Sequence, residues 1–176
     1  MHRRTVIILT TVALSCLAVA LAAGDAAAQQ KQHVSFKVPA ENAKYQQVHY
    51  IDIGDVPGHQ VGVSELHRVF PNNAPEINGV KLKEVWTRSL ADFIDYNGLS
   101  TNYPMYMLEN GDKFFVRAST MGHNTGGKRN NTSVGTITGG TGKLTGIRGI
   151  TRSLGTSDPK GGFNETQAEI EYWIEK

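Results

Sequence analysis

Apolar and polar residues alternate with a period of two along most of the chain. The last segment is the clearest case. Glu165, Gln167, Glu169 and Glu171 fall on one side, with Thr166, Ala168, Ile170, Tyr172 and Ile174 on the other. In an extended chain that rhythm makes one wet face and one buried face. The same rhythm, cut by turn residues, predicts strands over 34–38, 48–53, 59–70, 81–96, 103–108, 114–118, 134–138, 145–155 and 166–174. Gly54-Asp55-Val56-Pro57-Gly58, Pro71-Asn72-Asn73 and Asn97-Gly98 close successive runs, and Asn110-Gly111 is the strongest hairpin signal. Over 82–96, a helical turn at Ser89-Leu90-Ala91-Asp92-Phe93 competes with strand alternation, and the strand reading is adopted. Short strands at close spacing, with no helical stripe beyond the first residues, argue an all-β sandwich or an up-and-down barrel.

Residues 1–28 read differently. Arg3 and Arg4 precede a nearly unbroken apolar run from Val6 to Ala23, and Ala26-Ala27-Ala28 supplies a small-residue cleavage pattern. This predicts a signal peptide over 1–28, a single domain over 29–176, and a secreted or periplasmic protein. An uncleaved anchor and a lipoprotein attached at Cys16 are the weaker alternatives, since small residues follow the run and the residues before Cys16 fit a lipid box poorly. Cys16 is the only cysteine. The mature chain is therefore held by its core and its ladders alone, without disulfides. It carries 16 basic and 15 acidic side chains with no polybasic block, which speaks against nucleic acid and against stable membrane association as partners.

The densest glycine segment, Gly139-Gly140-Thr141-Gly142-Lys143-Leu144-Thr145-Gly146-Ile147-Arg148-Gly149, lies between two β-type runs and predicts a tight corner. Two phosphate-binding patterns fail on it. Leu144 follows Gly142-Lys143 where a P-loop needs Ser or Thr, and the Gly140, Gly142, Gly146 spacing misses the dinucleotide fingerprint by one residue. The segment instead resembles the closing portion of dirigent proteins and of the allene oxide cyclase barrel family, and Ala168-Glu169-Ile170-Glu171-Tyr172 resembles their last strand. The resemblance covers about forty residues. It implies a single eight-stranded antiparallel, calycin-like barrel with an apolar central cavity, often a homotrimer. The plant members guide radical coupling or cyclise an unstable fatty-acid epoxide. No catalytic residue of either group transfers onto this chain, and fold alone does not fix a reaction.

Candidate chemistry then rests on strand faces. On the long strand, Glu84, Trp86, Arg88, Leu90, Asp92, Ile94 and Tyr96 share the bulkier face, which is expected to point inward. The alternative makes Glu84, Arg88 and Asp92 a solvated outer face paired across strands. Glu65 and His67 share a face of the preceding strand; Tyr103, Met105 and Met107 lie opposite Tyr106 and Leu108 on a later one. The expected ligand-binding residues are Glu84, Trp86, Arg88, Tyr103, Tyr106 and Tyr172. The catalytic candidates are Glu65, His67, Arg88 and Asp92, as proton movers and a charge stabiliser. The histidines lack zinc spacing, no nucleophile elbow occurs, and no metal or cofactor is expected. Asn131-Thr132-Ser133 and Asn164-Glu165-Thr166 match glycosylation sequons. The leading expectation is an exported barrel binding a small hydrophobic or amphipathic molecule. The alternatives are a dirigent- or cyclase-like isomerase or lyase, and a structural envelope protein with a filled interior.

Overall fold

The computed structural model describes residues 30–175, so the expected leader and Cys16 lie outside the described residues. The strands are β1 (Gln32–Val38), β2 (Ala43–Asp52), β3 (His59–Val69), β4 (Glu76–Ile77), β5 (Val80–Ile94), β6 (Asn97–Leu108), β7 (Lys113–Thr125), β8 (Lys128–Gly140), β9 (Ile147–Asp158) and β10 (Phe163–Ile174). The helical alternative at 89–93 gives way to strand, within β5.

All pairings are antiparallel, and the ladder runs β1-β10-β9-β8-β7-β6-β5-β3-β2, with the short β4 paired to the start of β5. Nine strands thus form one sheet whose free edges are β1 and β2. The expected eight-stranded, closed ring is corrected in both count and closure. Between the two edge strands the chain passes through Pro39, which has no N–H to offer a ladder, and a 3₁₀ turn at Ala40–Asn42. The sheet nevertheless curls until its ends meet through side chains. Arg68 on β3 donates to Asn164 Oδ1 on β10 at 3.1 Å, and Asn164 Nδ2 donates to the Tyr45 hydroxyl on β2 at 3.3 Å. Val38, Ala43 and Leu66 form a small apolar cluster along this seam, with Phe36 set edge-on to Phe70 at 5.6 Å.

β6, β7 and β8 extend well beyond the runs expected at 103–108, 114–118 and 134–138. Their added lengths carry Ser, Thr, Asn and Gly inward, so they lack the apolar alternation that marks a half-buried strand. The link between β7 and β8 is a two-residue turn, Gly126-Gly127, with φ of 61° and 83° as a hairpin of matching twist requires.

One end of the interior is filled. Ile77, Leu82, Leu108, Phe114, Ile137, Leu144, Ile147 and Ile170 are all at most 2% exposed and form a single cluster that also holds Val85, Tyr106 and Tyr172. A register shift between Leu82 and Glu84 moves the inward set of β5 from even to odd positions, so Val85, Thr87, Ser89, Ala91 and Phe93 follow Leu82 inside.

The β2–β3 connection is held to β5 by a histidine between two carboxylates. His59 Nδ1 lies 2.6 Å from Asp55 Oδ1, and its Nε2 lies 3.0 Å from Asp92 Oδ1. Hydrogen bonds to Asp55 and then Asp92 raise the His59 pKa above its ordinary 6.5, while the bond to His59 lowers that of Asp55. A raised histidine pKa contributes stability below the unfolded value and loses it as pH rises through the folded one. The His59 ring is therefore expected to titrate with a midpoint above 6.5, read by NMR, and Asp55→Asn to move that midpoint down. Amide protection across 53–59 should fall as pH rises through the wild-type midpoint. An unshifted midpoint in Asp55→Asn would remove the clasp.

The glycine corner is a second point of test. Gly142 adopts φ +55°, and a Cβ there would meet the Asp112 carboxylate, which accepts the Lys143 N–H at 3.1 Å. Gly142→Val is expected to lower stability in urea by about 1–2 kcal/mol or more, because a β-branched residue resists the left-handed region.

Candidate functional site

The other end of the interior is hollow, and the ladder register explains why. From β10 to β3 one inward row reads Ala168, Ser153, Ser133, Thr120, Ser100, Ala91 and Gly62, with Phe36 and Tyr50 at its two ends. The next row towards the open end crosses Gly155, Asn131, Gly122 and Gly98. Side chains this short cannot meet across a curled sheet. They leave a cavity of about 140 Å³ that all the strands of the main ladder help to line. Its walls carry hydroxyls and amides in chains: Asn102 donates to Thr120 Oγ1 at 2.6 Å, and Thr120 donates to Ser133 Oγ at 2.8 Å. Its floor is the top of the apolar core, with Leu66, Val85 and Tyr106. The expected apolar cavity is thus a mixed one, apolar at the floor and polar above.

Two arginines lie inside. Arg68 donates to Thr87 Oγ1 at 3.1 Å and Asn164 Oδ1 at 3.1 Å. Arg129 donates from Nη2 to the Gly98 carbonyl at 2.9 Å, and its guanidinium carbon sits 5.7 Å from the centre of the Phe93 ring. Gly122 leaves the room for it, since a Cβ there would land on Arg129 Nε. The Nε of each arginine is buried without a hydrogen-bond partner among the described residues. No carboxylate lines the cavity among those residues. Burial pushes both guanidinium groups below the usual arginine range, because desolvation penalises the charged form. Several kcal/mol is the usual order of cost for a buried charge without its counter-ion.

Tyrosines surround the pair. Tyr45 lies within electrostatic reach of both arginines, and its hydroxyl is shared with Asn164 and Ser157. Asn131 Nδ2 donates to that same Ser157 at 2.8 Å. Burial raises the pKa of Tyr45 despite these hydrogen bonds, raises that of Tyr106, and pushes Tyr50 up to about 12. These phenols stay protonated at neutral pH and are not bases there. The arrangement presents many donors, two fixed positive charges and no carboxylate proton acceptor.

The residues expected from the sequence fall mostly elsewhere. Glu65, His67, Glu84, Trp86 and Arg88 are brought together, but on the outer face. Arg88 Nη2 pairs with Glu65 Oε2 at 2.8 Å, directly across the β3–β5 ladder. His67 stacks on Trp86 with ring centres 4.0 Å apart and reaches Glu84 Oε2 at 2.7 Å. The inward orientation expected for Glu84, Trp86, Arg88 and Asp92 is therefore reversed, and the cross-strand alternative describes them. Asp92 serves the His59 clasp. Tyr103 is 42% exposed on the outer face. Tyr172 is buried in the filled end, where its hydroxyl accepts the Asn78 N–H at 2.7 Å. Tyr106 alone of the expected set lines the cavity. Both sequon asparagines, Asn131 and Asn164, face inward as wall residues.

Tyr45, Tyr50, Arg68 and Arg129 are not among the residues expected at the site, and Asn131 and Asn164 are marked only as sequons. One signal for them was present. At 118–122, 131–135 and 151–157 every second residue is small or polar, while the intervening positions hold Met121, Val134 and Leu154. These three residues are 55–65% exposed, and with Val63, Leu90 and Leu99 they form an apolar band outside.

No family model matches this sequence, and no curated protein does. Among solved structures the chain is similar to the pterocarpan synthase dirigent protein GePTS1, at 13% identity and a TM-score of 0.49, over 84% of this chain and 93% of that one. It is similar also to the pterocarpan synthase dirigent protein PsPTS1, at 14% identity and a TM-score of 0.46, over 84% of this chain and 96% of that one. At these values no residue of their sites carries over to this chain.

Proposed function

We propose that this chain is an exported small-molecule-binding protein whose amphipathic ligand occupies the hollow end of the curled sheet. One observation carries the reading: a cavity of about 140 Å³ is lined by two guanidinium groups, Arg68 and Arg129, with no carboxylate among the described residues that line it. A desolvated charge without its counter-ion costs on the order of several kcal/mol. Such groups persist where a bound partner satisfies them, and a ligand entering from the open end does so. The apolar floor of Leu66, Val85 and Tyr106 takes the ligand's non-polar end.

A dirigent- or cyclase-like isomerase or lyase is the second reading, favoured by the same two arginines. Fixed positive charge stabilises an oxyanion that develops in a reaction. Binding ranks ahead because the cavity offers no carboxylate to move a proton among the described residues. The filled structural module ranks third, since filling is confined to one end of the interior. Self-association as a homotrimer would cover the outer band of Val63, Leu90, Leu99, Met121, Val134 and Leu154.

Native mass spectrometry of protein purified from its own compartment is expected to show one small molecule per chain and three chains per particle. Ala91→Leu, which projects into the small-residue row, is expected to lose that molecule; Trp86→Ala, on the outer face, is expected to keep it. Loss from Trp86→Ala with retention in Ala91→Leu would overturn the assignment of the site.

A further inference from the structure

The charge pattern inside the cavity narrows what a small-molecule reading of the site admits. Resting on that reading, we propose that the ligand is a small organic acid. Its oxyanion is held by Arg68 and Arg129, and its single ring or short chain lies on the apolar floor.

Three observations converge. The first is charge. Arg68 and Arg129 both line the cavity, and neither pairs with a carboxylate among the described residues. Acids on the neighbouring strands are paired on the outer face: Glu65 faces Arg88, Glu84 faces His67, and Asp92 faces His59. An anion inside therefore meets no repulsion from the walls and supplies the counter-charge that the fold withholds. A neutral ligand of the same shape leaves both charges uncompensated.

The second is hydrogen bonding. A carboxylate has two oxygens and about four lone-pair sites, and guanidinium groups match them in pairs. Each arginine commits part of its fork to the wall, Arg68 to Thr87 and Asn164, Arg129 to the Gly98 carbonyl, and with five N–H groups per guanidinium donors remain on both. Tyr45, reached by both arginines, is held protonated by burial and adds a phenolic donor. These wall bonds fix both side chains before any ligand arrives, which lowers the entropy lost on binding.

The third is size and polarity. A dry cavity of about 150 Å³ accepts a molecule as large as benzene. The space here, about 140 Å³, suits one ring with one charged group. Leu66, Val85 and Tyr106 form an apolar surface at the floor that an inorganic oxyanion would leave unused. An organic acid uses both ends.

The test is calorimetry at neutral pH and low salt on the mature protein, after ligand removal, with benzoate, benzamide and inorganic phosphate as probes. Benzoate is expected to bind and to raise the melting temperature, with benzamide at least tenfold weaker, although its shape is nearly the same. Benzoate binding should fall as pH drops through about 4, where the carboxylate takes up its proton. Arg68→Gln and Arg129→Gln should each weaken benzoate at least tenfold, Arg68→Lys less, and Trp86→Ala not at all. Should Arg68→Gln fail to fold, Arg68→Lys and Arg129→Gln carry the comparison. Equal affinity for benzamide, or unchanged benzoate affinity in folded arginine variants, would overturn the acid while leaving a small-molecule site intact. Phosphate binding as tightly as benzoate would overturn the organic part. If neither ring compound binds at millimolar concentration, the small-molecule reading itself falls.

Discussion

The structure depends on the size of the side chains along its inward rows. A sheet that curls on itself fills its interior only where facing side chains are long enough to meet. At one end they are, and Phe114, Leu82, Ile137 and Ile170 close the space to less than 2% exposure. At the other end the rows carry serine, threonine, alanine and glycine across seven strands. Within a single register row the sheet changes from a packed core to a chamber. Gly122 also admits the long Arg129 side chain along the wall, so the same smallness that empties the chamber allows its charge.

That charge sets the chemistry. Carboxylates pair with basic partners on the outer face, where water screens them and each pair contributes little to stability. Inside, guanidinium groups lie among phenols, hydroxyls and amides, and no described acid opposes them. Burial displaces the cavity tyrosines Tyr50 and Tyr106 away from neutrality.

Closure of the curled sheet is achieved by side chains. The edges β1 and β2 do not share a ladder, yet Arg68 spans from β3 to Asn164 and Thr166 on β10, and Tyr45 meets Asn164 from β2. The residues that seal the seam also line the cavity. The holding together of the two edges and the lining of the cavity thus share one hydrogen-bonded group.

Local alternation was enough to determine the all-β class, the position of most strands, the hairpin at Asn110-Gly111 and the glycine corner at Gly142, because these follow from period-two spacing and from which residues tolerate a left-handed backbone. The final strand shows it best: Ala168, Ile170 and Tyr172 are buried while Glu165, Gln167 and Glu169 are not. The direction of a face was legible only where the inward set was apolar. On β5 the bulkier set, with Trp86 and Leu90, points outward, and the extensions of β6 to β8 carried no apolar signal. The chamber needs small residues that are brought opposite one another from strands far apart in sequence. Arg68 and Arg129 look like ordinary surface cations until the register puts them inside. Which face lies within a curled sheet is decided by register and bulges across every strand together, and that is a property of the tertiary structure, beyond the reach of any single strand's pattern.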